Sequence, residues 1–104
     1  MSKDISLKEF QKKIEDWIAH HGGYWSPLSM LSAIVEEIGE LAREINNLEG
    51  FKPKKSDKIS ANLGEELADV MFALICLANS YNIDISHELE AVIKKYTIRD
   101  SNRF

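Results

Sequence analysis

The sequence predicts an all-α protein, a bundle of four or five helices, and three observations support this class. Apolar residues recur at three- and four-residue spacing through most of the 104 residues, and alternation typical of strands is absent. Helix-capping residues, Gly and Pro separate the periodic stretches. Hydrophobic residues make up 44% of the chain, enough for one packed core. We therefore expect a single helical domain over residues 1–104.

Charge and hydropathy exclude several classes of partner. The net charge of -4 argues against binding a nucleic-acid polymer, which requires clustered Lys and Arg. No stretch reaches the roughly 18 apolar residues of a membrane span, and the first residues lack the apolar segment of a signal peptide. The single cysteine, Cys76, lies in an apolar stretch and indicates a reduced compartment. We expect a cytoplasmic protein, with no nucleic-acid or membrane partner.

The first helix is predicted at about residues 7–21. Ser6 and Glu9 have the spacing of a capping box, and Gly22 with Gly23 would end the helix. Its apolar face consists of Phe10, Ile14, Trp17 and Ile18. We expect Trp17 to be a core residue, and His20 and His21 to be surface residues at the helix end.

The second helix is predicted at about residues 27–48, with Ser26 as N-cap and Pro27 at the first helical position. A broad apolar stripe runs along it, and a stripe of glutamates lies beside the apolar one. The glutamates are Glu36, Glu37, Glu40 and Glu44. The following residues 49–61 contain four lysines, Gly and Pro, and are expected to form a solvated loop, or one that attracts an anionic substrate.

The third helix is predicted at residues 62–81, starting at an Asn62 cap and ending at Asn82 in the left-handed conformation. No charged or strongly polar side chain occurs from Val70 to Ala78, so this helix should be central and buried on nearly every side. A fourth helix is expected at residues 86–99, capped by Ser86, with one apolar side. The apolar third helix also predicts a dimer or higher oligomer.

Two helices each carry a pair of acids three residues apart, Glu37 with Glu40 and Glu66 with Asp69. Residues at this spacing are neighbours on a helix surface. If the second and third helices pack antiparallel, four carboxylates converge and repel unless a divalent cation lies between them. Oxygen ligands suit Mg²⁺ or Mn²⁺. The alternative is that these acids form an ordinary solvated surface.

The stretches VEEIGELAREI and LGEELADVMFALICLAN resemble the MazG-like nucleotide pyrophosphohydrolases of the all-α NTP pyrophosphatase superfamily. The motifs that carry the resemblance are EExxE followed by ExxD, and it extends from roughly Tyr24 to Arg99. The resemblance implies that Mg²⁺ is bound by Glu37, Glu40, Glu66 and Asp69. It also implies supporting roles for Glu36 and Glu65, which would hold a second ion or act on the attacking water.

The resemblance extends to residues that would contact the substrate. Lys95 and Arg99 match a basic pair on the last helix and would clamp phosphate oxygens, although cations at a helix C-terminus also stabilise its dipole. Asn79 resembles an Asn that contacts sugar or base, with a packing role as the alternative. Trp25 lies where relatives place an aromatic residue against the base, or it packs over the second helix. Asn62 replaces a basic residue found in some relatives.

The resemblance implies hydrolysis of a ribo- or deoxyribonucleoside triphosphate to the monophosphate and pyrophosphate, with Mg²⁺ (or Mn²⁺) as cofactor and a homodimer or homotetramer as assembly. A role in clearing surplus or non-standard nucleotides would follow. Three alternatives remain open at this point. They are a non-catalytic nucleotide- or metal-binding module, a purely structural helical dimer, and a phosphoribosyl-ATP pyrophosphohydrolase.

Overall fold

The structure is a computed structural model of the chain; it describes residues 4–50 and 56–101, and only the backbone of residues 56–61. Four α-helices are found, α1 Leu7–Ala19, α2 Pro27–Glu49, α3 Ser56–Ser80 and α4 Ile85–Ser101. The described part of the chain contains no strand. The prediction of an all-α fold is therefore confirmed.

The starts of α1 and α2 follow the predicted capping residues. The Ser6 hydroxyl accepts a hydrogen bond from the backbone N–H of Glu9 at 3.1 Å, and the Glu9 side chain returns to the Ser6 backbone. Ser26 caps α2 ahead of Pro27. These side chains satisfy backbone N–H groups that have no partner inside the helix. The left-handed backbone at Asn82, with φ of 57°, is also as predicted.

Two predicted helix starts were wrong. Helix α3 begins at Ser56 and not at Asn62, so half of the expected loop 49–61 is helical. Lys52, Lys54 and Lys55 lie outside the described residues. Helix α4 begins at Ile85, because the Asp84 carboxylate accepts the backbone N–H of His87 at 3.2 Å and so provides the cap expected from Ser86.

Helices α2 and α3 pack along one another, α1 packs on α3, and α4 contacts chiefly α1. The small apolar core consists of Met30, Ile34, Ile75, Cys76 and Ala78. Burial raises the pKa of the Cys76 thiol, as befits a core residue. Between α3 and α4 the chain direction changes by 105°, so α4 does not lie back along α3.

Helix α3 is central, but it is not buried on nearly every side as predicted. Leu67, Met71 and Leu74 are each more than 40% exposed, because the divergence of α4 leaves this face of α3 without a helix of the same chain. Helix α2 also exposes apolar residues, namely Leu31, Val35, Ile38 and Ile45. The radius of gyration is 16.9 Å, whereas a compact domain of this length has about 13 Å. The single chain is therefore more open than an ordinary monomer.

Among the described helices, none is long and apolar enough to cross a membrane on its own. The segment Asn62–Ser80 and α4 meet this criterion of length and composition only when they are taken together, and a bend of 105° lies between them.

Candidate active site

Three carboxylates from α2 and α3 meet at one side of the helix pair. One oxygen each from Glu37, Glu66 and Asp69 lies within 4.8 Å of the other two. The convergence predicted from the two acidic pairs therefore occurs for three of the four acids. Like charges at this separation repel strongly unless a proton or a cation lies between them.

The electrostatics of Glu66 reflect this crowding. Partial desolvation raises its pKa, and the charges of Asp69, Glu40, Glu37 and Glu65 raise it further. Glu66 as a whole is half-buried, but its Oε2 atom is shielded from solvent and has no hydrogen-bond partner. A shielded carboxylate oxygen without a donor is costly, and a cation would satisfy it.

The remaining predicted acids lie around this cluster. Glu40 is close enough to raise the pKa of Glu66, and its Oε1 atom also lies 3.4 Å from the Arg43 guanidinium. Glu65 is exposed and likewise acts on the Glu66 charge. Glu36 is exposed and does not belong to the group of acids that shift Glu66. Glu65, and not Glu36, is therefore among the acids whose charge raises the pKa of Glu66.

An aromatic cavity of about 360 Å³ continues from the acidic cluster, with Glu37 and Asp69 in its wall. Its other side chains come from α1, from the α1–α2 connection, from α2 and from α3. The aromatic ones are Trp17, His21, Tyr24, Trp25 and Phe72. A cavity that joins flat apolar surfaces to carboxylates can hold a base at one end and metal-bound phosphates at the other.

The predicted aromatic residue, Trp25, lines this cavity and is 68% exposed, so its ring is available for stacking. Trp17 was wrongly predicted to be a core residue, since it is half-exposed in the cavity wall. It stacks on His21 with 3.9 Å between ring centroids and meets Phe72 edge-on at 5.8 Å. The spacing of Trp17 and His21 by four residues, just before the Gly-Gly-Tyr-Trp stretch, was a signal of this cavity in the sequence.

Tyr24 contributes a polar group to the cavity wall. Its hydroxyl is shielded from solvent and makes no hydrogen bond of standard geometry, although Glu15 and Asn79 lie close enough to influence its ionisation. Desolvation is the main cause that raises its pKa to about 12. The hydroxyl is therefore a neutral donor at physiological pH.

Asn79 has the structural role that was the alternative to substrate contact. It is 9% exposed, its Oδ1 accepts from Gln11 Nε2 at 2.8 Å, and its Nδ2 donates to the backbone carbonyl of Gln11 at 2.9 Å. It does not line the aromatic cavity. Both ends of its amide therefore have partners in the protein, which gives Asn79 a packing role, and its contact with the substrate stays a prediction.

Lys95 and Arg99 are the predicted residues that the single chain does not bring to the site. Both lie on α4, which contributes nothing to the cavity wall. Arg99 is paired with Asp100, at 2.9 and 3.2 Å, and both cations lie over the Tyr96 ring, 5.1 and 4.7 Å from its centroid. In one chain they are separated from the carboxylates.

Comparison with known proteins agrees with this arrangement. The model of the MazG nucleotide pyrophosphohydrolase domain matches residues 25–104, which include all the clustered carboxylates. The chain belongs to the MazG family. The MazG domain is a nucleotide pyrophosphohydrolase, so the chain is a hydrolase of nucleotide phosphoanhydride bonds.

One Bacillus protein illustrates the similarity within the MazG family both in sequence and in structure. YpjD of Bacillus subtilis (strain 168), an uncharacterized protein, is 40% identical over 102 residues, which are 97% of this chain and 92% of the relative. The crystal structure of YPJD from Bacillus subtilis, presented as a proposed pyrophosphatase, superposes with a TM-score of 0.82 at 40% identity, covering 91% of this chain and 98% of that one.

A third comparison concerns the crystal structure of the Bacillus-conserved MazG protein, described as a nucleotide pyrophosphohydrolase. It superposes with a TM-score of 0.79 at 38% identity and covers 91% of this chain and 93% of its own. Both solved structures thus share the all-α fold over nearly the whole chain, and the resemblance of the two acidic motifs to the MazG family is confirmed.

Proposed function

We propose that this MazG protein is a Mg²⁺-dependent nucleoside triphosphate pyrophosphohydrolase. Its reaction would be attack of water on the α–β phosphoanhydride, giving a ribo- or deoxyribonucleoside monophosphate and pyrophosphate. The observation that carries the proposal is the continuity of the aromatic cavity with the cluster of Glu37, Glu66 and Asp69. A nucleotide needs an apolar surface for its base next to a metal-binding cluster for its phosphates.

The donor set fits a hard divalent cation. All the clustered ligands are carboxylate oxygens, which suit Mg²⁺ and Mn²⁺, and the shielded Oε2 of Glu66 has no other partner. We assign the metal to Glu37, Glu66 and Asp69, with Glu40 as the fourth ligand. When bound, the cation would act as a Lewis acid on phosphate oxygens and offset the repulsion among the carboxylates.

The protein side chains bind and orient the substrate. Trp25 would stack on the base, and Trp17 and Phe72 would close the apolar wall around it. Glu65, exposed beside the cluster, is the better placed acceptor for the proton of the attacking water; Glu36 is the second choice. Lys95 and Arg99 would hold the distal phosphates and the charge that develops on pyrophosphate.

We also propose that the enzyme works as a homodimer or homotetramer in the cytoplasm. The exposed apolar residues of α2 and α3, together with the large radius of gyration, support association with further copies of the chain. Clearance of surplus or non-standard nucleotides is the role that such a hydrolase would have.

The test is pyrophosphate release from a panel of ribo- and deoxyribonucleoside triphosphates with and without Mg²⁺. Glu66→Gln and Asp69→Asn should each lower the rate by about 100-fold or more. Glu90→Gln, which removes an exposed carboxylate on α4, is the matched control and should keep the wild-type rate. Release of orthophosphate in place of pyrophosphate would contradict the assigned bond.

A further inference from the structure

His21 is held in a fixed position in the wall of the aromatic cavity. Its ring lies face to face with that of Trp17, with 3.9 Å between the ring centroids and 18° between the ring planes. Its Nδ1 atom lies 2.6 Å from the backbone carbonyl oxygen of Trp17, about one helical turn earlier. The imidazole is therefore held through one face and one edge. A side chain that is already held in place loses little conformational freedom when it binds a ligand.

The contact at Nδ1 fixes the position of the proton on the neutral ring. A carbonyl oxygen only accepts hydrogen bonds, so Nδ1 must be the donor at this distance. A neutral imidazole carries a single N–H, and Nε2 then keeps its lone pair. His21 therefore presents a hydrogen-bond acceptor at Nε2.

The Nε2 atom of His21 is free to bind a ligand. The two nitrogens of the ring point in roughly opposite directions, so Nε2 is directed away from the helix backbone that Nδ1 contacts. No hydrogen bond joins Nε2 to any residue that the structure describes. Since His21 is exposed and lines the cavity, a donor group on a molecule bound there can take the place of water at this nitrogen.

The other polar side chains of the cavity wall do not offer such an acceptor to a base. The two carboxylates in the wall belong to the acidic cluster, at the end assigned to the metal and the phosphates. The Tyr24 hydroxyl is shielded from solvent, and the indole N–H groups of Trp17 and Trp25 can only donate. Among the described side chains of this wall, His21 thus supplies the accessible nitrogen or oxygen acceptor outside the acidic cluster.

Nucleobases differ in the group that they present to an acceptor. Cytosine and adenine carry an exocyclic amino group, which donates, whereas uracil and hypoxanthine carry a carbonyl at the corresponding ring position, which accepts. The two members of each pair have nearly the same shape, so stacking alone separates them poorly. An amino group gives Nε2 a hydrogen bond, but a carbonyl in the same place sets two acceptors against each other and leaves both without a partner.

We propose that His21 selects the base of the substrate, and that its Nε2 atom accepts a hydrogen bond from the exocyclic amino group of a cytosine or adenine nucleotide. Nucleotides with an amino-bearing base are therefore preferred to their keto counterparts. The proposal deepens the proposed function and rests on it for the position of the base in the aromatic cavity. It makes His21 a specificity-determining residue that takes no part in cleavage of the phosphoanhydride bond.

Binding of nucleoside monophosphates tests the selection without turnover. Both tryptophans of the chain line the cavity, so their fluorescence reports a base bound there. At about pH 8.5, which favours neutral imidazole, and with Mg²⁺ present, the wild type should bind cytidine monophosphate about tenfold more tightly than uridine monophosphate. Adenosine monophosphate should exceed inosine monophosphate by a similar factor. Equal affinities within both pairs, or no fluorescence change with any of the four, would overturn the proposal.

His21→Phe keeps a flat aromatic ring for the stack on Trp17 and removes the acceptor. The affinity ratio of cytidine to uridine monophosphate should fall from about ten to about one in this variant. His20→Phe is the matched control, because Nδ1 of His20 makes the same contact with the Asp16 carbonyl oxygen, at 2.7 Å, but His20 does not line the cavity. It should keep the wild-type ratio. A ratio that stays near ten in His21→Phe would overturn the proposal.

Nitrogen NMR of isotopically labelled wild-type protein tests the contact without any substitution. At about pH 8.5, Nδ1 of His21 should carry the proton and Nε2 should show the resonance of an unprotonated nitrogen. Cytidine monophosphate should shift the Nε2 resonance toward that of a hydrogen-bonded nitrogen, uridine monophosphate should shift it less, and the His20 resonances should respond to neither. A proton on Nε2 in the free protein, or equal shifts with both nucleotides, would contradict the assigned acceptor.

Pyrophosphate release separates this inference from the proposed function. In competition, kcat/KM should favour cytidine triphosphate over uridine triphosphate by about tenfold in the wild type and in His20→Phe, but not in His21→Phe. Release with equal kcat/KM values for the two triphosphates would overturn the selection and leave the proposed function intact. Absence of release from any triphosphate would overturn the proposed function, and the monophosphate affinities would still decide whether His21 recognises the base.

Discussion

Gln11 and Asn79 hold each other through two hydrogen bonds, although 68 residues separate them in the chain. The Gln11 side chain also donates to the carbonyl of Ile83 at 2.8 Å and accepts the backbone N–H of Ile85 at 2.9 Å. One buried amide thus ties α1 to the end of α3 and to the start of α4. It also satisfies a backbone N–H at the start of α4 that has no helical partner.

Replacement of Gln11 by Leu should destabilise the protein by about 2–4 kcal/mol, because the Asn79 Oδ1 and the Ile85 N–H would lose their partners. The bond from Asn79 Nδ2 to the backbone carbonyl of residue 11 would remain. Urea unfolding monitored by circular dichroism measures this change. Lys12→Ala, which removes an exposed pair with Asp16, is the control and should cost less than about 0.5 kcal/mol. A similar loss in both variants would contradict the role of the buried amide.

Glu66→Gln should raise the melting temperature of the metal-free protein at pH 7. The raised pKa means that ionised Glu66 disfavours the folded state, so wild-type stability should increase as the pH falls through the folded pKa toward that of a free glutamate. This pH dependence should be weaker in the variant. Differential scanning calorimetry without metal, over a pH series, tests both statements; a lower melting temperature for Glu66→Gln at pH 7 would refute them.

Mg²⁺ should raise the melting temperature of the wild type, because a ligand that binds only the folded state stabilises it by mass action. Asp69→Asn should weaken this effect, with an apparent Mg²⁺ affinity at least about tenfold lower. Glu90→Gln should respond like the wild type. An identical Mg²⁺ response in Asp69→Asn would remove this residue from the metal site.

Trp25→Ala should raise KM for the nucleotide by about tenfold with a smaller change in kcat, since stacking on a base contributes about 1–3 kcal/mol. Trp25→Phe retains an aromatic face and should recover most of the affinity. Steady-state kinetics on the preferred nucleotide decides this. Equal KM values for Trp25→Ala and the wild type would favour packing over α2 as the role of Trp25.

Tyr24→Phe should remove one component of alkaline unfolding. The pKa of about 12 in the folded protein exceeds the ordinary value of 10, so the hydroxyl stabilises the fold below pH 10, and this contribution is lost as the pH rises from 10 to 12. Between pH 10 and 12, the melting temperature of the wild type should therefore fall more steeply with pH than that of Tyr24→Phe. Parallel curves would show that Tyr24 ionises normally.

The pattern of the sequence predicted the local features because they depend on neighbours along the chain. The caps at Ser6 and Ser26 and the left-handed Asn82 involve residues within a turn of one another. Helix periodicity likewise places the two acids of each motif on one side of their helix. The start of α3 at Ser56 was missed because the glycine, proline and lysine content of residues 49–61 favours a loop, whereas the helix begins within that segment.

What the sequence by itself determined is the all-α class, the MazG family and the identity of the acids that face one another. Only the tertiary structure decided that Asn79 bonds to Gln11, that Trp17 and His21 form a cavity wall with Trp25, and that Lys95 lies far from the carboxylates of its own chain. These are relationships between distant segments. They depend on how helices cross and on the angle at which α4 leaves α3, which local periodicity does not encode.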